Sequence, residues 1–162
     1  MSNMRDTEED DVWLALLSIG DIAKIEKYGF VIHYVPNDDF DHSPSGVNIH
    51  THGLHKINNH LDFQITVPLP PHIASRIMHR LYELVKGGEV FCAGGESDKV
   101  LQGGMKVGFI EVQECDRTVL RVIIPDEDGN HKQSTMNRQW RTAQFGQQRT
   151  AAGTPTDAEI LN

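Results

Sequence analysis

Apolar positions recur at helical spacing most clearly between Ile73 and Val85. Ile73, Ala74, Ile77, Met78, Leu81, Leu84 and Val85 form one stripe, opened by Pro70-Pro71 and closed by Gly87-Gly88. Proline suits a first helical turn, where its missing N–H would be an orphan. Glycine suits the residue just past the end. The pattern predicts a helix with this stripe in the core. A second helical pattern runs from Glu8 to Tyr28. Val12, Trp13, Leu16, Leu17 and Ile19 share one side, and Asp21, an N-cap type, starts a further short helix carrying Ile22 and Ile25.

Other stretches alternate with period two. Phe30–Val35, Val47–Gly53, Asp62–Val67, Lys106–Gln113 and Thr118–Ile124 read as strands. The link Glu114-Cys115-Asp116-Arg117 is short enough for an antiparallel hairpin. Val119–Ile124 is apolar apart from Arg121, which predicts a central strand covered on both sides. Pro36–Gly46 is turn chemistry throughout. Its Asp38, Asp39 and Asp41 are spaced somewhat like a calcium loop, without the glycine and glutamate that complete that motif. Glu89–Gly104 is punctuated by glycines and reads as irregular, and from Asn130 onward the apolar content falls, with Trp140 and Phe145 as the remaining anchors. The expected organisation is a flexible N-terminus over 1–7, a single domain over 8–145 and a disordered tail over 146–162. With no internal repeat and no βαβ regularity, the expected fold is α+β. It has a mixed or antiparallel sheet of about five strands, with two or three helices packed mainly on one face.

Composition narrows the function. The chain has 162 residues, 38% hydrophobic and 23% charged, which is ordinary material for one domain. A net charge of −8 argues against sequence-independent nucleic-acid binding, which needs a basic face. No apolar run reaches the roughly 18–20 residues of a membrane span, and the start MSNMRDTEEDD is acidic, so the expectation is a cytoplasmic protein with no membrane partner. Two cysteines are too few for a disulfide framework, and Cys92 lies in an acid-flanked setting unlike that of a reactive thiolate. Neither a Gly-x-Ser-x-Gly elbow nor a Gly-Lys-Ser/Thr phosphate loop is present.

Nine histidines are present, and four of them (His50, His52, His55, His60) fall between Val47 and Pro71. Alternation sets Asn48, His50 and His52 opposite Val47, Ile49 and Thr51. It likewise sets His60, Asp62, Gln64 and Thr66 opposite Phe63, Ile65 and Val67. If the two strands pair with their apolar sides on the core, His50, His52, His60 and Asp62 share one polar face. Three readings of that face stay open. In the first, His50, His52 and His60 ligate zinc or another divalent transition metal, with Asp62 as a further ligand or general base. In the second, no metal is needed: His60 and Asp62 form an acid/base pair, and Thr51, Gly53, Gln64 and Arg121 are binding residues. In the third, the histidines satisfy one another and water on an ordinary sheet face. A small anion held near Arg121 or Arg76 is a further option.

Several stretches, in order, resemble a known family. They are Thr51-x-Gly53-Leu54, His60-x-Asp62, Leu69-Pro70-Pro71 with Ala74, Val85-x-Gly87-Gly88-Glu89-x-Phe91, and Leu120-Arg121 with Pro125-Asp126-x-Asp128-Gly129. Together they resemble a family of small bacterial and phage-associated domains of unknown function, over about Ile22 to Trp140. The resemblance implies a single α+β domain with no established activity, some members of which sit near toxin or defence genes. It implies that Thr51, Gly53, Leu54, His60 and Asp62 match the shared pattern. Many members have Tyr at the position of His50 and an aliphatic residue at that of His52, and Leu61 replaces a usual proline. The His-x-His is thus local to this chain. The functional expectation is a non-enzymatic, acidic interaction module with a protein partner and no cofactor. The alternative is a metal-dependent hydrolase using the histidine face.

Overall fold

The computed structural model describes residues 19–146. The helix expected before Ile19, the N-terminal segment 1–7 and the tail beyond 146 lie outside the described residues. Helix α1 (Ile19–Tyr28) leads into strand β1 (Val31–Pro36), followed by β2 (Val47–His52) and β3 (Phe63–Ile65). Helix α2 (Pro71–Lys86) comes next, then the two-residue β4 (Glu96–Ser97), β5 (Val107–Glu114), β6 (Arg117–Ile123) and α3 (Arg138–Phe145). The strands form one sheet in the order β1-β2-β3-β6-β5-β4. Only β3 and β6 run parallel; the other pairs are antiparallel. The fold is α+β with a mixed sheet, one short strand richer than the sequence pattern suggests.

Helix α2 is built as its pattern predicts. Pro71 occupies the first turn, and Gly88, at φ +106°, ends the helix in a left-handed conformation. The Glu89 N–H reaches back to Leu84 O at 2.9 Å and the Gly88 N–H to Val85 O at 3.0 Å, so two otherwise orphaned carbonyls are capped. Ala74, Ile77, Met78, Leu81, Tyr82 and Val85 are buried against Ile49, Phe63, Ile65, Leu120 and Val122 in one cluster. A fully buried Leu contributes about 2–3 kcal/mol, so truncating Leu81 would remove a large part of a small domain's margin.

The opposite face of the sheet is polar near its centre. Helix α1 packs Ile22 and Ile25 on Val31, and the end of α3 bonds to Arg121 and Thr66. Both helices therefore border this face. The long turn between β1 and β2 also borders it, through His42.

Candidate functional site

Strand register creates one lateral row across the polar face. His33 on β1 pairs with His50 on β2, His50 with Gln64 on β3, and Gln64 with Arg121 on β6. Val31 pairs with His52, so His52 sits one step along the same face. Three imidazoles therefore converge from two neighbouring strands. Ring centroids are 5.3 Å apart for His33–His50, 4.8 Å for His33–His52 and 4.9 Å for His50–His52, all edge-to-face. One nitrogen from each lies within 4.8 Å of the other two. His50 and His52 are buried, while the His33 side chain is 26% exposed and gives the cluster its opening to solvent.

Each ring is held by a neighbour. His33 Nε2 lies 3.0 Å from Asp21 Oδ2, which α1 supplies. His50 Nδ1 lies 3.0 Å from Glu114 Oε1 and 2.9 Å from Asn48 Oδ1. In its neutral form each of these rings donates its proton to the carboxylate and keeps a lone pair on the other nitrogen, His33 Nδ1 and His50 Nε2. His52 differs. Its Nδ1 accepts from Arg117 Nη1 at 3.1 Å, and a guanidinium can only donate, so the ring proton of His52 sits on Nε2. Burial first, then the Arg117 charge and the two neighbouring histidines, hold His52 neutral far below the usual histidine range.

Glu114 and Arg117 come from the two ends of the β5–β6 hairpin, which pairs them directly. Arg117 Nε donates to Glu114 Oε2 at 2.8 Å, and its Nη1 donates to Asp62 Oδ2 at 3.1 Å. Asn48 Nδ2 bridges Glu114 Oε1 and Asp38 Oδ2, each at 2.7 Å. Burial alone would raise Glu114, but the His50 hydrogen bond and charge, with Arg117, hold it well below the carboxylate range. Asp62 moves the other way: burial raises it, against the pull of Arg117 and the Leu54 and Thr51 hydrogen bonds. Glu114 and Asp62 thus face one guanidinium, even before Asp21 is counted. This balance favours an incoming cation.

The structure brings His50, His52 and Asp62 to one face, as strand alternation implies, but it places His60 elsewhere. His60 precedes β3, so alternation does not govern it. Its Nε2 accepts the Phe91 N–H at 3.0 Å, its Nδ1 meets Leu61 O at 2.8 Å, and its ring packs on Phe63 and Phe91. Both nitrogens are used within the fold. Among the described residues the converging trio is His33, His50 and His52, without His60. Asp62 is equally occupied: Oδ1 accepts from Thr51 Oγ1 at 2.9 Å and from the Leu54 N–H at 3.2 Å, and Oδ2 takes Arg117. Thr51 Oγ1 also accepts the Phe63 N–H at 2.9 Å. Gly53 sits at φ +117°, and a Cβ there would lie 2.9 Å from Gly29 O. Thr51, Gly53, Leu54 and Asp62 together fasten the chain reversal after β2.

Gln64 and Arg121 form the other half of the row. Arg121 Nε donates to Gln64 Oε1 at 2.7 Å, Nη1 to Gln144 O at 2.7 Å and Nη2 to His42 O at 3.2 Å. Burial pushes its guanidinium down to about 10. Its nearest acceptors are neutral, and one is a carbonyl in the last turn of α3, where the helix dipole favours a cation. Arg76 is exposed on α2, which covers the opposite face. In the β1–β2 turn, Asp38, Asp39 and His42 offer a second group of close ligand atoms. Asp39 is spent there on the Asp41 and His42 N–H groups, an ordinary turn cap.

The sequence pattern puts Asn48 on the polar face and Asp21 at a helix start but assigns neither to the site, and it does not single out His33, Glu114 or Arg117. Alternation within Phe30–Val35 sets His33 opposite Ile32 and Tyr34, and that signal was readable. Its pairing with His50 was not, because strand order is not local information.

Compared with known proteins, the chain matches no family model, no curated protein and no solved structure.

Proposed function

We propose that this domain binds one divalent transition metal of the zinc class through His33, His50 and His52. One observation carries the reading: three imidazoles on adjacent strands meet with ring centroids 4.8–5.3 Å apart. Tetrahedral zinc, with Zn–N of about 2.0–2.1 Å, sets ligand nitrogens about 3.3 Å and imidazole centroids about 5.2 Å apart. The rings already have that spacing, and the nitrogens lie within 4.8 Å of one another. Two of the three rings carry a carboxylate at one nitrogen, and such a partner on the nitrogen away from a metal orients the histidine and raises its basicity.

Three protein ligands leave a coordination position open, and a metal-bound water there is acidic enough to serve as hydroxide near neutral pH. The reaction class this supports is metal-assisted hydrolysis, with His33 on the solvent side. The interaction-module reading has no observation of equal specificity behind it. The most exposed large apolar side chains, Ile19, Phe40 and Val90, belong to separate elements.

The test is elemental analysis of the full chain, purified without a histidine tag, followed by thermal melts with added zinc. The expected result is about one equivalent of metal and, at 100-fold over the dissociation constant, about 2.7 kcal/mol of added stability. Less than about 0.1 equivalent with no thermal shift overturns the reading.

A further inference from the structure

We propose that Arg117 is the gate of this site: its hydrogen bond to His52 Nδ1 holds the third ligand in the tautomer that cannot bind metal through Nε2. The inference rests on the metal reading of the trio and concerns how that site is regulated.

Arg117 is well placed for the task because its other contacts do not depend on His52. Nε stays on Glu114 at 2.8 Å and Nη1 on Asp62 at 3.1 Å, so the guanidinium keeps its place when His52 leaves it. His33 and His50 each have a carboxylate at one ring nitrogen, so their neutral forms keep a lone pair on the other. His52 alone has a cationic donor there, 3.1 Å from Nδ1. A metal ligand normally donates its second ring N–H to an acceptor, and Arg117 is the reverse of one. Metal entry must therefore break the Arg117–His52 bond. The ring then gives its Nε2 proton to solvent and takes one from solvent at Nδ1, with no net change of charge. The device makes a two-histidine entry site that becomes a three-histidine site only when the metal, or a partner that draws Arg117 away, breaks this contact.

Two effects of removing Arg117 must be separated. Loss of its positive charge would tighten any cation site, whereas loss of the gate acts only through His52. A double-mutant cycle distinguishes them. Zinc affinity is measured by competition with a chromophoric chelator for the full-length parent, Arg117→Met, His52→Phe and the double variant. The expectation is that Arg117→Met tightens zinc binding about ten-fold in the parent and less than about two-fold in the His52→Phe background. Equal tightening in both backgrounds, or none in the parent, overturns the gate while leaving the metal site standing. No zinc binding by any folded form removes both. If Arg117→Met does not fold, ¹⁵N NMR of the metal-free parent decides alone: His52 with its proton on Nε2 supports the gate, and a proton on Nδ1 refutes it.

Discussion

The two halves of the polar row behave differently, although they share one sheet face. In the β3–β6 half, Gln64, Arg121 and Gln144 close on neutral partners. Arg121 reaches three carbonyl oxygens, and the Gln144 side chain accepts the Ile124 N–H at 2.6 Å and donates to Ile124 O at 2.9 Å. In the β1–β2 half, His33, His50 and His52 are backed by Asp21, Glu114 and Arg117, and one nitrogen of each ring lies within 4.8 Å of the other two. A buried polar group whose capacity is spent on backbone carbonyls is a fastening. Polar groups whose outer atoms are oriented while their inner atoms converge are arranged for a guest. The first half holds α3 and the β1–β2 turn onto the sheet; the second is the candidate site.

The sharpest way to break this comparison is to remove Arg121. Arg121→Leu leaves two buried acceptors, Gln64 Oε1 and Gln144 O, without a donor and should cost about 3–5 kcal/mol in chemical denaturation, with zinc affinity staying within about five-fold of the parent. A stable variant that loses zinc would reverse the roles of the two halves. Gly53→Ala tests the chain reversal that presents β2. The positive φ and the 2.9 Å approach to Gly29 O make a loss of about 2–3 kcal/mol the expected result, read by urea midpoint.

The effect of pH follows from the charged half. Folding holds His52 neutral, whereas an unfolded histidine protonates near 6.5. Below that pH the unfolded chain binds the extra proton, so the stability of the metal-free protein falls by up to about 1.4 kcal/mol per pH unit. Glu114, depressed from 4.5, adds stability that is present above that value and lost as the pH falls below it. Asp62 works in the opposite sense: its raised carboxyl takes up its proton first in the folded state and offsets part of the loss. Urea midpoints of the metal-free protein should decline from about pH 6.5 downward, and His52→Phe should remove the decline that precedes the carboxylate range. A parent profile flat between about pH 7 and 5 would contradict this assignment. The smallest effect is expected at His60. His60→Gln should cost about 1 kcal/mol, through the Phe91 N–H it accepts, and leave zinc affinity unchanged by calorimetry.

How much of this was legible in the sequence depends on how local each signal is. Helix α2 and the β5–β6 hairpin were readable because their periodicity and end residues are local. Strand β4 was not, since two residues give no period. Helix α3 was missed because polar groups anchor it: Gln144 is fully buried, and Asn137 caps the helix by accepting the Trp140 N–H at 3.0 Å. At the site, His50 and His52 were visible through alternation. Alternation joins His60 to them only when the strand pattern is carried past Phe63–Ile65, the residues that form β3. His33, Glu114 and Arg117 arrive through long-range pairing, which no local pattern carries. Thr51, Gly53 and Asp62 are used for the chain reversal and His60 for the core, while His33, His50 and His52 make the cluster.

Zinc calorimetry on five versions of the full chain tests the central claim most directly: the parent and the single variants His33→Ala, His50→Ala, His52→Ala and His60→Ala. One site per chain in the parent, weakened at least about 100-fold in each of the first three variants and unchanged in the fourth, is the predicted result. A parent that takes up no zinc, or one whose binding survives loss of His33 and His50 but fails with His60, would contradict it.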